Sequence, residues 1–389
     1  MLKIFCSPAR YVQGRDASRE LAREMVRMGI GARPLIIASP TARHQTEPLW
    51  IEAFGTGKIP FELMEFGGEC SVAEIERCTA EARRTQAGSI VGAGGGKALD
   101  TARAVAAALN LPVVCCPTVA ASDAPCSALS VVYTDAGVFE RCLFYKRNPD
   151  LVLVDTSVIA RAPVRFLIAG MGDALATWFE ADTAHRACKR NQVGGGSTLA
   201  AMAIARTCYE TLLQDGIAAV AAARAGAVTP ALERIIEANT LLSGLGFESG
   251  GLAVAHAVHN GLTAAPETHH CLHGEKVAFG TLVQLVLEGR EAAEIRELMT
   301  FSASVGLPLT LAELGIETLS SEMARVIAER AVAPGETSHN EAFQVTWVAI
   351  KDAILAADAL GRDFIAPKMR GKAGGKTARE SSPSAPRPP

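Results

Sequence analysis

The chain has 389 residues, ten cysteines and a formal net charge of −3. That length allows two packed domains of ordinary size, and a content of 49% hydrophobic and 20% charged residues excludes a disordered or nucleic-acid-coating chain. No run of about 18 uncharged apolar residues offers a membrane span, and no C-x-x-C pair signals a zinc ribbon or a redox couple.

The opening stretch MLKIFCSPARY lacks a secretory apolar core, so a cytoplasmic protein without membrane partner is expected, its cysteines reduced and mostly in the core. Five short β-branched runs follow, at 34–39, 61–66, 89–94, 111–118 and 150–155. Helical patterns at 71–83 and 97–109 separate them, the first opened by the capping-box spacing Ser71-x-x-Glu74. Apolar strands interleaved with helices predict an α/β, Rossmann-like domain over 1–162, with a parallel sheet covered on both faces. From 163 to about 365 the pattern turns to long Ala- and Leu-rich helical periods, which predicts an all-α second domain. Residues 366–389, rich in Gly, Ser, Pro and basic side chains, read as a disordered basic tail.

Two loops carry chemistry. VGAGGGKALDTARA (91–104) runs from a strand through three glycines into a helix, which sets backbone N–H groups and a helix N-terminus around one point suited to phosphate. It is neither a Walker A loop nor G-x-G-x-x-G, because Val91, Lys97 and Ala98 stand where those motifs need other residues. The second loop, PTVAASDAPCSALSVVY (117–133), follows the next strand and should lie beside the first at the carboxyl end of the sheet. As a pair the two loops resemble the iron-containing alcohol dehydrogenase superfamily, in its glycerol dehydrogenase branch, whose two-domain fold the chain is then expected to share. The resemblance implies pyrophosphate on Gly95, Gly96 and Lys97, the nicotinamide side lined by Thr118, Ser127, Leu129 and Tyr133, and a substrate hydroxyl held by Asp123. The branch usually carries an aspartate after its first strand to bind ribose; here that position is Ser39, so NAD use with measurable NADP use is expected.

Five of the eight histidines fall between 256 and 273. Such density suggests a metal or a proton relay, but spacing does not choose the members, and Asp173 after Gly172 could equally cap a helix. The family resemblance names Asp173, His256 and His273 as metal ligands, with His259, His269 and His270 outside the set. Iron-binding relatives add a histidine four residues after the aspartate, where this chain has Thr177, so zinc is favoured over iron or manganese. The implied activity is metal-assisted oxidation of glycerol or another vicinal diol by NAD(P), by a homo-oligomer that could be an octamer, with Asp123, Asp173, His256 and His273 in catalysis. Two rivals share the scaffold. A 2-hydroxycarboxylate dehydrogenase would want a cation where Asp123 stands, and a lyase like dehydroquinate synthase would want Lys or Arg within 120–132, which has neither.

Overall fold

The structure, a computed structural model, describes residues 1–135 and 137–373. Its strands are β1 (Arg10–Gly14), β2 (Pro34–Ala38), β3 (Glu62–Glu65), β4 (Ser89–Gly94), β5 (Val113–Pro117), β6 (Leu129–Tyr133), β7 (Phe139–Phe144) and β8 (Leu151–Asp155). Six of them form one parallel sheet in the order β1-β8-β5-β4-β2-β3, and β6 and β7 make a separate antiparallel ribbon. All five expected strands are present within a few residues. The sequence reading missed β1 and the ribbon. β1 is an edge strand whose residues are all half-buried, and β7 is almost wholly exposed, so neither carries a clear apolar period.

The side-chain alternation of β2 shows why the sheet is covered twice. Ile36 and Ala38 pack with α1 (Leu21–Arg27) and α2 (Pro40–Thr56), through Leu21, Met25, Trp50 and Phe54. Leu35 and Ile37 point the other way, onto Cys78 and Ala82 of α3 (Val72–Arg84) and Ala98, Ala102 and Val105 of α4 (Gly96–Leu109). Ser71 caps α3 as its spacing suggests, accepting the Glu74 N–H; Glu74 itself bonds Gly67 N–H and Arg77, so the capping box is only half formed.

After α5 (Thr156–Ala160) the chain is helical: α6 (Val164–Arg186), α7 (Leu199–Arg224), α8 (Pro230–Glu237), α9 (Ser243–Gly250), α10 (Val254–Leu262), α11 (His273–Leu287), α12 (Ala292–Val305), α13 (Ser321–Ala331) and α14 (Trp347–Ala373). Its core joins the sheet through Cys115, Val152 and Val154, which pack in one cluster with Phe179, Leu212 and Phe279. The last helix carries on through residue 373, beyond the point where the tail was expected to begin; 374–389 lie outside the described residues. Among the described residues no single helix is long and apolar enough to cross a membrane.

Candidate active site

The carboxyl ends of β2, β4 and β5 lie side by side, with Ala38 opposite Ala93 and Gly94 opposite Pro117. Thr118 N–H donates to the Gly94 carbonyl at 3.0 Å, so the two loops meet as expected. The glycines there have two different jobs. Gly94, at φ +151°, is hemmed in: a Cβ would come within 2.9 Å of Ala98 Cβ. Around Gly95 and Gly96 there is open space, a Cβ meeting at most Val119 at 3.8 Å. Gly95 also has no side chain to cap α4, so the first N–H groups of that helix face this opening. Close packing needs the former, whereas a phosphate can use the latter. Lys97 sits in the first turn of α4 with its ammonium 2.6 Å from Glu69 Oε2 and 4.9 Å from the centre of the Tyr133 ring. Ser39 caps α2: its Oγ accepts the Ala42 N–H at 3.3 Å, and its own N–H donates to Ala93.

The second loop is clamped from below by a buried ion pair on α4. Arg103 pairs with Asp100 and donates to the Ala124 carbonyl at 2.6 Å, while Asp100 Oδ2 accepts the Val131 N–H at 3.2 Å. Ser127, fully buried, donates its hydroxyl to the same Ala124 carbonyl, and Leu129 and Tyr133 bound β6. On the far side Asn239 holds the Ala120 carbonyl at 3.0 Å. This clamping carries Asp123 to the middle of α6, where its backbone N–H donates to Asp173 Oδ2 at 3.2 Å and its Oδ2 accepts the Ser243 hydroxyl at 3.1 Å.

Asp173, wholly buried, lies within α6 and caps nothing. One ligand atom each from Asp173, His256 and His273 lie within 4.8 Å of one another. His273 Nε2 is 3.1 Å and His256 Nε2 3.4 Å from Asp173 Oδ1. Glu180 sits behind His256: its Oε2 is 2.6 Å from His256 Nδ1, and its Oε1 accepts the N–H groups of Ala253 and His256. A carboxylate only accepts, so His256 carries a proton on Nδ1, and Nε2, which faces Asp173, is the nitrogen available to a cation. Two imidazole nitrogens and an anionic oxygen converging on one point make a donor set suited to a divalent cation.

Without an ion, the same charges act on the protons of the cluster. Burial would raise the Asp173 carboxyl, but His273 and His256 hold it far below the usual carboxylate range. Burial would lower His256, yet the carboxylates of Glu180 and Asp173 hold it well above an ordinary imidazole. Asp123 is raised by burial and by the Asp173 charge, and His259 is lowered by burial and by His273 and Lys276.

The position that holds histidine in iron-binding relatives is closed here. Thr177 bonds Ser243 at 2.8 Å, and a Cβ on Gly246 of α9 would fall 2.5 Å from the Thr177 methyl, so α9 fills that space. His259 packs on the far side of His273, whereas His269 and His270 are exposed on the turn before α11. Sequence reasoning missed Glu180 and Ser243, along with the glycines that let α6 and α11 touch. Glu180 was findable, because it lies seven residues after Asp173 and so on the same face of one helix. Ser243 carried no comparable signal.

Residues 8–156 match the family described as iron-containing alcohol dehydrogenase. The chain is 51% identical over 365 residues to a glycerol dehydrogenase of Pseudomonas putida, an alignment that covers 92% of this chain and 98% of that one. It is also 47% identical to a glycolaldehyde reductase of Halobacterium salinarum, with 93% and 99% covered. The crystal structure of glycerol dehydrogenase from Schizosaccharomyces pombe superposes with a TM-score of 0.91 at 39% identity, covering 97% of this chain and 94% of that one. With this agreement over nearly the whole length, the chain belongs to the iron-containing alcohol dehydrogenase family, in its glycerol dehydrogenase branch.

Proposed function

We propose that the protein is an NAD-linked, metal-dependent oxidoreductase that converts glycerol, or a closely related vicinal diol, to the hydroxyketone. The observation that carries this reading is the convergence of Asp173, His256 and His273 directly beside Asp123, the residue that the second cofactor loop brings to α6. Asp173, His256 and His273 would hold the cation, which supplies Lewis acidity that favours deprotonation of the alcohol. The nicotinamide supplies the hydride acceptor.

The chain's own residues do the positioning. Open N–H groups at Gly96 and Lys97 bind the pyrophosphate, where Lys97 would exchange part of its pairing with Glu69 for phosphate. Thr118, Ser127, Leu129 and Tyr133 lie on the segment that Asp100, Arg103 and Asn239 hold fixed, so the nicotinamide side would rest on a preset surface. Asp123, anchored by Ser243, orients a polyol hydroxyl. A substrate carboxylate would meet this acid rather than a cation, which disfavours a 2-hydroxycarboxylate; the absence of Lys and Arg from 120–132 disfavours a phosphorylated substrate.

Zinc is the proposed ion, since the space for a fourth protein ligand is filled by Thr177 and α9. Chelator treatment should abolish glycerol oxidation, and zinc should restore it more fully than iron or manganese. Undiminished turnover in metal-free protein would overturn the reading. Position 39 gives a second expectation: with serine in place of a carboxylate the repulsion that an aspartate there would exert on a 2'-phosphate is gone, so NADP should be used measurably, and Ser39→Asp should lower its kcat/KM about tenfold or more relative to NAD. An unchanged ratio counts against Ser39 lying at the ribose. A homo-oligomer, up to an octamer, is part of the proposal on family grounds, and the solution mass checks it.

A further inference from the structure

His273 is tied on its far side to a chain of side chains that ends well away from the metal site. Its Nδ1 lies 3.0 Å from His259 Nε2; His259 Nδ1 lies 3.1 Å from Asn260 Oδ1; and Asn260 Nδ2 lies 2.9 Å from Glu336 Oε2. Only one direction of hydrogen bonding satisfies these three links. Glu336 is a carboxylate and can only accept, so Asn260 must face it with its amide NH2. That leaves Asn260 Oδ1 for His259, which must therefore carry its proton on Nδ1. The Nε2 of His259 is then an acceptor, and His273 must donate from Nδ1. The Nε2 of His273, 3.1 Å from Asp173 Oδ1, is then the nitrogen left for a cation that would sit between the two.

We propose that Glu336 is a positioning residue for the metal site, setting the tautomer of His273 across two intervening side chains. This rests on the metal reading given above. The carboxylate is placed firmly enough for the role. It is nearly buried, its other oxygen lies 3.7 Å from Arg330, and the short turn that follows it is bolted onto the start of α10. In that turn Thr337 donates to the Ala253 carbonyl at 2.6 Å and Asn340 donates to the Leu252 carbonyl at 2.8 Å. The same segment that carries His256 thus also anchors the group that orients His273. The two histidine ligands are matched, each with its Nδ1 proton directed toward a carboxylate, by direct contact from Glu180 and through His259 and Asn260 from Glu336.

The test uses zinc affinity, measured by competition with a chromogenic chelator on the full-length protein. Glu336→Gln keeps shape but lets the last group donate, so the chain can reverse and place a proton on His273 Nε2. Zinc binding should weaken about threefold to tenfold, below the ~10- to 100-fold typical of a direct second-layer partner. Combining Glu336→Gln with Asn260→Asp exchanges the acid and the amide and restores the single direction at unchanged net charge. The double variant should recover wild-type affinity within about twofold. Unchanged zinc affinity in Glu336→Gln overturns the proposal, as does a loss that the exchange fails to repair, which would mark Glu336 as packing only. Failure of the wild-type protein to bind zinc would instead remove the metal reading beneath it.

Discussion

Asp173→Asn is expected to lower kcat/KM for glycerol by about a thousandfold or more, with loss of bound metal, while the fold is kept. Asparagine matches aspartate in shape and can still accept the Asp123 N–H from one side. What it removes is the single anionic member of the proposed metal set, at a fully buried position where water cannot replace it. Its amide hydrogens would also bond the imidazole lone pairs 3.1 and 3.4 Å away and so compete with a cation for them. Losing a partner one layer out typically costs ~10- to 100-fold, so losing the charged ligand itself should cost more. Metal analysis, melting and steady-state kinetics on the same sample check this. A variant with a full complement of metal and a rate within tenfold of wild type would show that Asp173 does not hold the ion.

The second large effect concerns stability. A Cβ on Gly274 would lie 1.8 Å from the Ala169 carbonyl oxygen and 3.0 Å from the Asp173 nitrogen. Both obstacles are backbone, so no side chain can swing aside, and α11 would have to move off α6. Overpacking in a core ordinarily costs about 1–3 kcal/mol, and a backbone clash this deep belongs at or above the upper end. Gly274→Ala should therefore melt several degrees lower and also bind metal poorly, because the displaced helix begins at His273, the neighbouring residue. Gly172 presses the same contact from the other helix, its Cβ falling 2.3 Å from the Gly274 carbonyl oxygen. Equal melting temperatures and equal zinc uptake in Gly274→Ala and wild type would sink this account.

The inner strands of the sheet and the two loops at their carboxyl ends were legible because their signals are local. A parallel strand buried on both faces reads as an apolar run, as 34–38 and 151–154 do, and a glycine turn before a helix declares itself by composition. The edge strand β1 and the exposed β7 were not legible, since half-buried and solvent-facing strands share their composition with loops. Among the glycines, the sequence could not separate those demanded by packing, such as Gly94, from those that leave a helix end open, such as Gly95; only the neighbouring atoms distinguish them.

At the metal site the division is sharper. The residue types, the crowding of histidines into one stretch and the absence of a histidine at 177 are properties of the chain alone, and with the family resemblance they named three candidate ligands, which the fold brings together. Which nitrogen each imidazole offers is a property of the fold. It is decided by Glu180, Asn260 and Glu336, which lie from 1 to 76 residues away in sequence from the groups they bond. The physical reason is that hydrogen-bond direction is set by whatever carboxylate closes each network, and that closure exists only once α6, α10, α11 and the turn after α13 have packed together.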